Sequence, residues 1–171
     1  MPDIITIRAV DERDAAALIE YLAVLRAERL PTIFRRAAVP ALDEEIEFIR
    51  RSTCQGAACF IATMDGMVVA NLGVCTHRHP QMAHSASLGM AVLGPYRGQG
   101  IGSRLLDAAI DWGERQGLLR LELEVFSNNS GAVRLYERNG FVIEGCRHGA
   151  VSVDGGFVDL LLMARRLGAG T

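Results

Sequence analysis

The sequence predicts an α+β fold in which a mixed, mostly antiparallel sheet of about seven strands is flanked by about four helices. The first observation behind this prediction is the order of strand-like and helix-like segments, which runs β-α-α-β-β-β-α-β-α-β-β. The second is a pair of tight-turn signals, Met64-Asp65-Gly66 and Asp154-Gly155-Gly156, each of which joins two strand-like segments. The third is a composition of 50% hydrophobic and 22% charged residues, from which we expect residues 1–171 to form a single globular domain.

The amino-terminal half is predicted to contain one strand, two helices and a hairpin. Residues 4–9 are mostly β-branched and predict the first strand, and Asp11 is suited to cap the helix that follows. After a stretch bounded by two prolines, Asp43 is suited to cap a second helix. Residues 57–63 and 68–76 are strand-like and joined by a short turn, so they predict an antiparallel hairpin.

The carboxy-terminal half is predicted to alternate strands with helices and to end in two strands. Apolar residues at helical spacing predict a helix from Ile101 to Gly117, and Gly140 suits the left-handed residue after a second, shorter helix. The strands are predicted at residues 85–93, 119–126, 141–144 and 157–164.

Charge and hydropathy argue against two classes of partner. The chain has 18 basic and 20 acidic residues, and the basic residues cluster only in adjacent pairs, so we expect no nucleic-acid partner. The amino terminus lacks the pattern of a signal peptide, and no apolar run approaches the length that spans a bilayer. We therefore expect no membrane partner and a cytoplasmic location.

The spacing of cysteine and histidine predicts no metal site. The 4 cysteines show no Cys-x-x-Cys spacing, so in a reducing compartment they are expected to be free thiols. His77 and His79 would share one face of a strand, but no third ligand stands at a suitable spacing. We interpret both histidines as polar residues at a strand end.

A glycine-rich loop between a predicted strand and a predicted helix is the first candidate binding site. Residues 96–103 form this loop, and the unpaired N–H groups at a helix start favour an anion such as phosphate, with a plain flexible turn as the alternative. The loop lacks the Lys-Ser or Lys-Thr of a Walker motif and the Gly-x-Gly-x-x-Gly spacing of a dinucleotide site. Glu122 lies about twenty residues beyond these glycines, where a dinucleotide-binding fold places its ribose-binding acid. The predicted hairpin upstream of the loop argues against that fold.

The same loop resembles the acyl-CoA signature of the GNAT N-acetyltransferase superfamily, Gln/Arg-x-x-Gly-x-Gly/Ala, which Arg97, Gly100 and Gly102 satisfy. Residues 88–92 resemble the fourth strand of that family, whose backbone bonds the pantetheine arm of the cofactor. The resemblance implies acetyl-CoA as co-substrate, in addition to the expectation from residue spacing that no metal is bound. In this region it implies contacts from Met90, Ala91, Val92, Arg97, Gly98, Gln99, Gly100, Ile101, Gly102 and Ser103.

Residues 129–141 resemble the second motif of the superfamily, Asn-x-x-Ala-x-x-Leu-Tyr-x-x-x-Gly-Phe. This motif adds Asn129, Ala132 and Tyr136 to the residues expected to contact the cofactor. Two motifs in the right order, with a matching order of elements elsewhere, identify the chain as a member of the superfamily. The resemblance implies an enzyme that transfers an acetyl group from acetyl-CoA to a primary amine by direct attack in a ternary complex.

The resemblance also implies catalytic side chains. Tyr136 matches the general acid that protonates the departing thiolate, and a core tyrosine is the alternative. Glu124 lies where relatives that acetylate ribosomal-protein N-termini carry a catalytic glutamate. An ordinary solvated carboxylate is an equal alternative, because Glu122 shares its strand face and only one of the two need be functional. His84 is a weaker candidate for the base.

Two further roles follow from the resemblance. The backbone N–H groups of Ala91 and Val92 are expected to polarise the thioester oxygen. Asn129 matches an asparagine that contacts CoA, and it is equally suited to cap the following helix.

The acceptor is predicted from the end of the chain. Residues 144–165 resemble the hairpin of a GNAT branch that acetylates amino acids, their analogues or polyamines, which implies a small-molecule amine. Phe34 and the Arg35-Arg36 pair suit an acceptor carboxylate, although a solvated loop explains such a pair as well. The rival functions are a protein N-terminal acetyltransferase and a non-catalytic CoA-binding regulatory domain. A homodimer is left open.

Overall fold

The computed structural model describes residues 5–33, 38–54 and 56–168, and its centre is a seven-stranded sheet. In chain order the strands are β1 (Thr6–Ala9), β2 (Ala57–Met64), β3 (Met67–Thr76), β4 (Ser85–Val92), β5 (Arg120–Phe126), β6 (Val142–Val153) and β7 (Gly156–Arg166). The helices are α1 (Ala15–Ala27), α2 (Leu42–Ser52), α3 (Ile101–Arg115) and α4 (Ser130–Arg138). The predicted α+β fold is confirmed. In the described part of the chain, none of the helices is long and apolar enough to cross a bilayer.

The sheet is mixed and mostly antiparallel, with the strand order β1-β2-β3-β4-β5-β7-β6. Every neighbouring pair is antiparallel except β4 and β5, which run parallel. Parallel strands need a crossover connection, and α3 supplies it. The pairing of β4 with β5 is also the shortest in the sheet, because it joins only residues 85–87 to residues 120–122.

Two hydrophobic clusters cover opposite faces of the sheet. α3 contributes Ile101 and Leu105 to one cluster, and α1 contributes Leu18 to the other. β2 is buried on both faces, because Ile61 packs into the α1 cluster and Ala62 packs into the α3 cluster. Full burial of an isoleucine side chain contributes about 1.5–3 kcal/mol, so β2 helps to hold the two layers against the sheet.

Two-residue turns with left-handed backbone close both predicted hairpins. Asp65 (φ 49°) and Gly66 (φ 81°) join β2 to β3, and Asp154 (φ 49°) and Gly155 (φ 84°) join β6 to β7. Positive φ at both central positions is the type I′ turn, whose twist matches that of the strands it joins. Both turn predictions are confirmed.

The predicted cap of the second helix is wrong. α2 begins at Leu42, so Asp43 lies inside its first turn rather than before it. The N-cap residue is Ala41, whose backbone N–H donates to Oε2 of Glu44 at 2.9 Å. A glutamate that reaches back to the cap N–H replaces the side-chain cap that the sequence suggested.

β6 is longer than predicted: it ends at Val153, whereas the sequence predicted its end at residue 144. Its ladder with β7 is irregular after Ile143 and again after Arg147. Bulges break the alternation of side chains between two faces, which is the signal by which a strand is predicted from sequence.

A bidentate ion pair ties β1 to the turn that precedes α1. Nη1 and Nη2 of Arg8 donate to the two carboxylate oxygens of Asp14 at 2.7 and 2.6 Å. The N–H of Asp11 also donates to this carboxylate, at 2.9 Å. The Arg8 guanidinium holds the pKa of Asp14 below its ordinary value. Asp11 caps the short turn Glu12–Asp14 through the N–H of Arg13, whereas α1 begins one turn later, after Asp14, without a side-chain cap. The prediction that Asp11 caps α1 itself is therefore wrong by one turn.

Candidate active site

A cleft opens where β4 and β5 separate. The two strands pair only near their beginnings, and beyond Ser87 and Glu122 they continue to Val92 and Phe126 without pairing. β4 pairs with β3 through its other edge, so among the described strands the cleft edge of β4 has no partner here. Exposed backbone N–H and C=O groups need hydrogen-bonding partners, and this edge is suited to an extended ligand that contains amides.

The pairing of β4 with β3 decides which N–H groups point into the cleft. The N–H of Leu93 donates to the carbonyl of Val69 at 3.0 Å. Because alternate residues of a strand direct their N–H groups to the same side, the N–H of Ala91 also faces β3 and that of Val92 faces the cleft. The carbonyl of Val92 supports this orientation, because it accepts from Nε of Arg97 at 2.8 Å and not from β3. Of the two amides expected to polarise an oxygen, only that of Val92 is placed to do so.

Two cavities occupy the cleft and share a wall. The larger cavity has a volume of about 700 Å³ and the smaller cavity about 300 Å³. The residues that border both are Thr32, Ile33, Met90, Ala91, Asn129, Ala132 and Tyr136. Two ligands that fill the two cavities would therefore lie against the same residues, and a group transfer requires such proximity.

The glycine loop and the start of α3 form one side of the larger cavity. Gly98 (φ 74°) and Gly100 (φ 79°) adopt a left-handed backbone that residues with a Cβ rarely adopt. Gly100 is the N-cap of α3, and Ile101, Gly102 and Ser103 in its first turn border the cavity. The first N–H groups of a helix lack intrahelical partners and carry the positive end of its dipole, so this wall suits an anion.

Gly102 also lets α3 approach α4 closely. A Cβ at this position would lie 2.7 Å from Cδ2 of Leu135 on α4, which is closer than normal contact. The glycine therefore sets the spacing of the two helices that flank the larger cavity.

Two predicted residues of the loop direct their side chains elsewhere. Nε2 of Gln99 donates to the carbonyl of Pro95, just before the loop, at 3.0 Å, and Gln99 is absent from the described walls of both cavities. Arg97 borders the larger cavity, but its guanidinium donates to the carbonyl of Val92 and, at 2.5 Å, to Oε2 of Glu28. Glu28 in turn accepts from the N–H of Gly94 at 2.7 Å. Arg97 and Glu28 thus brace the loop from outside.

Arg134 and Arg138 supply positive charge that the sequence analysis missed. Both lie on α4, both are exposed, and both border the larger cavity, as the start of α3 does. Their i, i+4 spacing on a predicted helix places them on one face, and this spacing is the signal that could have found them. Two guanidinium groups and a helix N-terminus at one cavity make the cavity suited to phosphate groups.

Tyr136 borders both cavities at their junction. Its side chain is 5% exposed, and its ring packs edge-on against Phe141 with the ring centroids 5.8 Å apart. Burial raises the pKa of the hydroxyl to about 12, so the group holds its proton at neutral pH. Among the described residues this hydroxyl has no hydrogen-bond partner, which leaves its proton available to a ligand. The ring belongs to the core as well, so the two interpretations of this tyrosine do not exclude each other.

Asn129 caps α4, as predicted. Its Oδ1 accepts from the N–H of Ala132 at 3.2 Å, and its Nδ2 donates to the carbonyl of Thr32 at 3.2 Å. The side chain therefore joins the start of α4 to the segment after α1, and all three residues border both cavities.

Glu122 and Glu124 share one face of β5 but have different partners. Glu124 borders the smaller cavity, and its Oε1 lies 2.8 Å from Nη2 of Arg147. Glu122 pairs with Nε2 of His77 at 2.7 Å and with Nε of Arg120 at 3.0 Å. Although desolvation acts to raise it, these bonds keep the pKa of Glu122 below its ordinary value. Glu124 is thus the carboxylate at the cleft, and Glu122 belongs to an ion-pair network outside it.

His84 does not share the site. It immediately precedes β4, whereas the cleft opens towards the other end of that strand. Its carbonyl accepts from the N–H of Leu119, and the residue is absent from the described walls of both cavities.

A buried tyrosine that the sequence did not single out supports the smaller cavity. The hydroxyl oxygen of Tyr21 lies 3.0 Å from Oδ1 of Asn71 and 2.9 Å from the carbonyl oxygen of Ala91. Asn71 borders the smaller cavity, so Tyr21 orients its amide from behind. Burial raises the pKa of the Tyr21 hydroxyl above its ordinary value. No local pattern could reveal this contact, because the residues lie on three separate elements.

The smaller cavity carries both signs of charge. Of the described residues that border it, Arg26 and Glu124 are the charged ones, and most of the others are apolar. Phe34, Arg35 and Arg36, which the sequence suggested as acceptor contacts, lie outside the described residues.

Comparison with known proteins agrees with this geometry. The chain matches the model of the Acetyltransferase (GNAT) family over residues 19–141. It is similar to the L-amino acid N-acetyltransferase AaaT of Escherichia coli strain K12, with 28% identity over 163 residues that cover 94% of this chain and 97% of that protein. Over 75 residues, 44% of this chain and 51% of that protein, it is 37% identical to the [Ribosomal protein bS18]-alanine N-acetyltransferase of the same strain.

The fold is similar to that of solved structures. An acetyltransferase of the GNAT family from Streptococcus pneumoniae superposes with a TM-score of 0.90 at 27% identity, covering 96% of this chain and 100% of that one. The match to the family model spans more than half of the chain and includes both motifs that border the cleft. The chain therefore belongs to the GNAT family of acetyltransferases and is an acetyl-CoA-dependent N-acetyltransferase.

Proposed function

We propose that this enzyme acetylates the primary amine of a small molecule, an amino acid or an amino-acid analogue, by direct attack of the amine on acetyl-CoA within a ternary complex. The observation that carries the proposal is the pair of adjacent cavities that both have Tyr136 in their walls. One cavity is large enough for the end of a cofactor, and the other is about 300 Å³, the lower end of the range for small-molecule sites.

The larger cavity is the proposed acetyl-CoA site. The N–H groups around Gly100 and Gly102, together with Arg134 and Arg138, would hold the phosphates. The exposed backbone edge of β4 at Met90 and Val92 would bond the amides of the pantetheine arm. The proposal keeps Ala91, Asn129 and Ala132 as wall residues, and it keeps Arg97 as a brace of the loop.

The smaller cavity is the proposed acceptor site. The charges of Arg26 and Glu124 complement the carboxylate and the ammonium group of an amino acid. AaaT is named as an L-amino acid N-acetyltransferase, which supports the same class of acceptor. A polyamine has no carboxylate, so the presence of Arg26 favours an amino acid over a polyamine.

The chemistry needs a neutral amine, a polarised thioester and a proton for the leaving sulfur. The amine nitrogen attacks the carbonyl carbon, the C–N bond forms and the C–S bond breaks. In the proposal Glu124, directly or through water, accepts the proton that the amine loses. The N–H of Val92 donates to the oxygen on which negative charge develops, and Tyr136 donates its proton to the thiolate.

The proposal places this reaction in the cytoplasm and assigns it to one domain formed by residues 1–171. The free thiols of Cys54, Cys75 and Cys146 are exposed, as is usual in a compartment that keeps cysteines reduced.

The deciding experiment measures CoA release from acetyl-CoA with a panel of L-amino acids, amino-acid analogues, polyamines and short peptides. Initial rates are taken over both substrates for the wild type, for Tyr136→Phe and for Glu124→Gln. We expect turnover on one or a few free amino acids, and intersecting rather than parallel double-reciprocal lines. Turnover on alanine-terminated peptides alone would replace the proposal with protein N-terminal acetylation, to which the local similarity to the bS18 enzyme also relates. Parallel lines would refute direct attack.

A further inference from the structure

A cluster of three metal-binding side chains lies on the β6–β7 hairpin, and none of them belongs to the proposed mechanism. Cys146 and His148 are on β6 and Asp159 is on β7. Their nearest donor atoms are Sγ, Nδ1 and Oδ2, with separations of 3.6 Å from Sγ to Nδ1, 3.8 Å from Sγ to Oδ2 and 3.0 Å from Nδ1 to Oδ2. The irregular pairing of β6 after Arg147 brings these residues together, which is why spacing in the sequence predicted no metal site.

The separations match those of three ligands on one tetrahedral ion. Zinc lies about 2.3 Å from sulfur, about 2.0–2.1 Å from imidazole nitrogen and about 2.0–2.2 Å from carboxylate oxygen. With tetrahedral angles these bond lengths place the ligand atoms roughly 3.4–3.6 Å apart. The three measured separations differ from these values by a few tenths of an ångström, so small side-chain adjustments complete the arrangement.

A second contact orients the carboxylate. Oδ1 of Asp159 accepts from the backbone N–H of Gly149 at 2.8 Å, which leaves Oδ2 directed at Cys146 and His148. Ligands that are held by such outer contacts bind metal more tightly than free side chains do. The backbone carbonyl of Asp159 also accepts from the N–H of Ser127 at 2.9 Å, so the strand itself is fixed at this residue.

We propose that Cys146, His148 and Asp159 form a surface site for a zinc-type divalent transition metal ion, with water in the fourth position. The donor set selects the metal, because thiolate and imidazole favour zinc, cobalt or copper ions, whereas Mg²⁺ and Ca²⁺ prefer oxygen ligands. A thiolate, a carboxylate and a neutral imidazole together balance the charge of a divalent ion. The His148 side chain is 84% exposed and gives the ion a direct path from solvent.

The site has a structural consequence for the cleft. Arg147 lies between the two β6 ligands in the sequence, and its guanidinium pairs with Glu124 at 2.8 Å. An ion that clamps the bulge of β6 to β7 would also fix the backbone that carries Arg147. The metal would therefore act on the hairpin and would take no part in acetyl transfer.

The test is a titration of tag-free protein with Co²⁺, without acetyl-CoA and with thiol reductant removed, because both would compete for the ion. We expect one equivalent of Co²⁺ to bind, with the visible bands of tetrahedral cobalt and a near-ultraviolet thiolate-to-cobalt band, and Zn²⁺ to displace it. Cys146→Ser should abolish the thiolate band, and His148→Gln and Asp159→Asn should weaken Zn²⁺ binding by at least about 10- to 100-fold. Cys75→Ser, which removes another exposed thiol, should leave binding unchanged.

Circular dichroism verifies that each variant is folded before titration. Zn²⁺ should raise the Tm of the wild type and of Cys75→Ser, and it should leave the Tm of Cys146→Ser unchanged. Absence of tetrahedral bands in the wild type, or bands that persist in Cys146→Ser, would overturn the proposal. Because no substrate is present, neither result depends on the proposed function.

Discussion

Oε1 of Glu124 on β5 lies 2.8 Å from Nη2 of Arg147 on β6, although β7 lies between these two strands in the sheet. Glu124 is opposite Leu162 on β7, and Arg147 is opposite Leu160. The ion pair therefore reaches over β7 and holds the carboxylate at the edge of the smaller cavity. This ion pair connects the terminal hairpin to the proposed base. The sequence of neither strand alone could predict it.

Replacing Glu124 tests its role as the base. Glu124→Gln keeps the shape of the side chain but cannot accept a proton, so we expect kcat to fall by about 10²- to 10⁴-fold. Arg147→Met removes the ion-pair partner but retains the carboxylate that accepts the proton, so we expect kcat to change much less. Steady-state kinetics at saturating acetyl-CoA distinguish the variants. If kcat fell by a similar, small factor in Glu124→Gln and in Arg147→Met, the ion pair would be structural and water would serve as the base.

Replacing Tyr136 tests the acid. Tyr136→Phe removes the hydroxyl and retains the packing against Phe141, so kcat should fall by about 10²-fold or more with little change in Tm. The pKa of about 12 means that the phenol stays protonated throughout the working range. The wild type should therefore gain activity as the acceptor amine loses its proton, and kcat should show no alkaline decline up to about pH 10. A decline between about pH 8 and 10 would contradict this assignment.

The charge of Arg26 tests the acceptor class. Arg26→Leu removes a cation from the wall of the smaller cavity, so KM for an amino acid should rise by about 10-fold or more. KM for the corresponding amine without a carboxylate should change little. Paired measurements on the two acceptors separate recognition of the carboxylate from general damage, which would raise both values equally.

The contact at Gly102 tests the spacing of α3 and α4. Gly102→Val places branched carbon atoms where a Cβ alone already lies 2.7 Å from Leu135, so we expect a loss of about 1–3 kcal/mol in stability. KM for acetyl-CoA should rise as the helices separate. Gly73→Ala is the control, because nothing lies within 4 Å of the added Cβ there. Urea denaturation measures the first effect and steady-state kinetics the second.

The ion pair of Arg8 with Asp14 predicts a loss of stability in acid. The pKa of Asp14 is lower in the folded state than the ordinary value of 3.8 for an aspartate side chain, so the unfolded chain binds the proton more readily. The stabilisation is thus complete above about pH 4 and is lost as the pH falls through the folded pKa. Asp14→Asn should cost about 1–3 kcal/mol at neutral pH and progressively less below pH 4.

Asp107→Asn, an exposed carboxylate on α3, serves as the control for this series. Its difference from the wild type should stay small at every pH. If the deficit of Asp14→Asn were constant between neutral pH and about pH 3, the ion pair would not be its cause.

Much of the fold could be predicted from the sequence because its signals are local. The turn at Asp65-Gly66 needs two residues with positive φ, and the glycine loop needs Gly98 and Gly100 for the same reason. The bulged part of β6 and the cap of α2 by Glu44 were missed, because each depends on a partner that the local pattern does not specify. That residues 1–171 form one domain stays a prediction.

In the candidate site, too, the features with local signals could be predicted and those that depend on distant partners could not. Motifs located the wall that contains Tyr136 and Asn129, and the helical spacing of Arg134 and Arg138 was available but not used. The orientation of the Tyr21 hydroxyl depends on long-range contacts, so no single-sequence pattern could give it. The catalytic roles assigned to these side chains stay predictions until the variants are measured.

Only three residue pairs join β4 to β5, so the sheet has its fewest backbone pairings at its middle. Strands β1 to β4 form one block and β5 to β7 another, and across the cleft the backbone ladder between them is missing. A cofactor whose amides bond the free edge of β4 would fill that gap as a non-peptide strand. Acetyl-CoA would then be a structural member of the sheet as well as a reactant. In hydrogen exchange, the amides of the two blocks should lose protection separately in the enzyme without acetyl-CoA and together in the enzyme with acetyl-CoA bound.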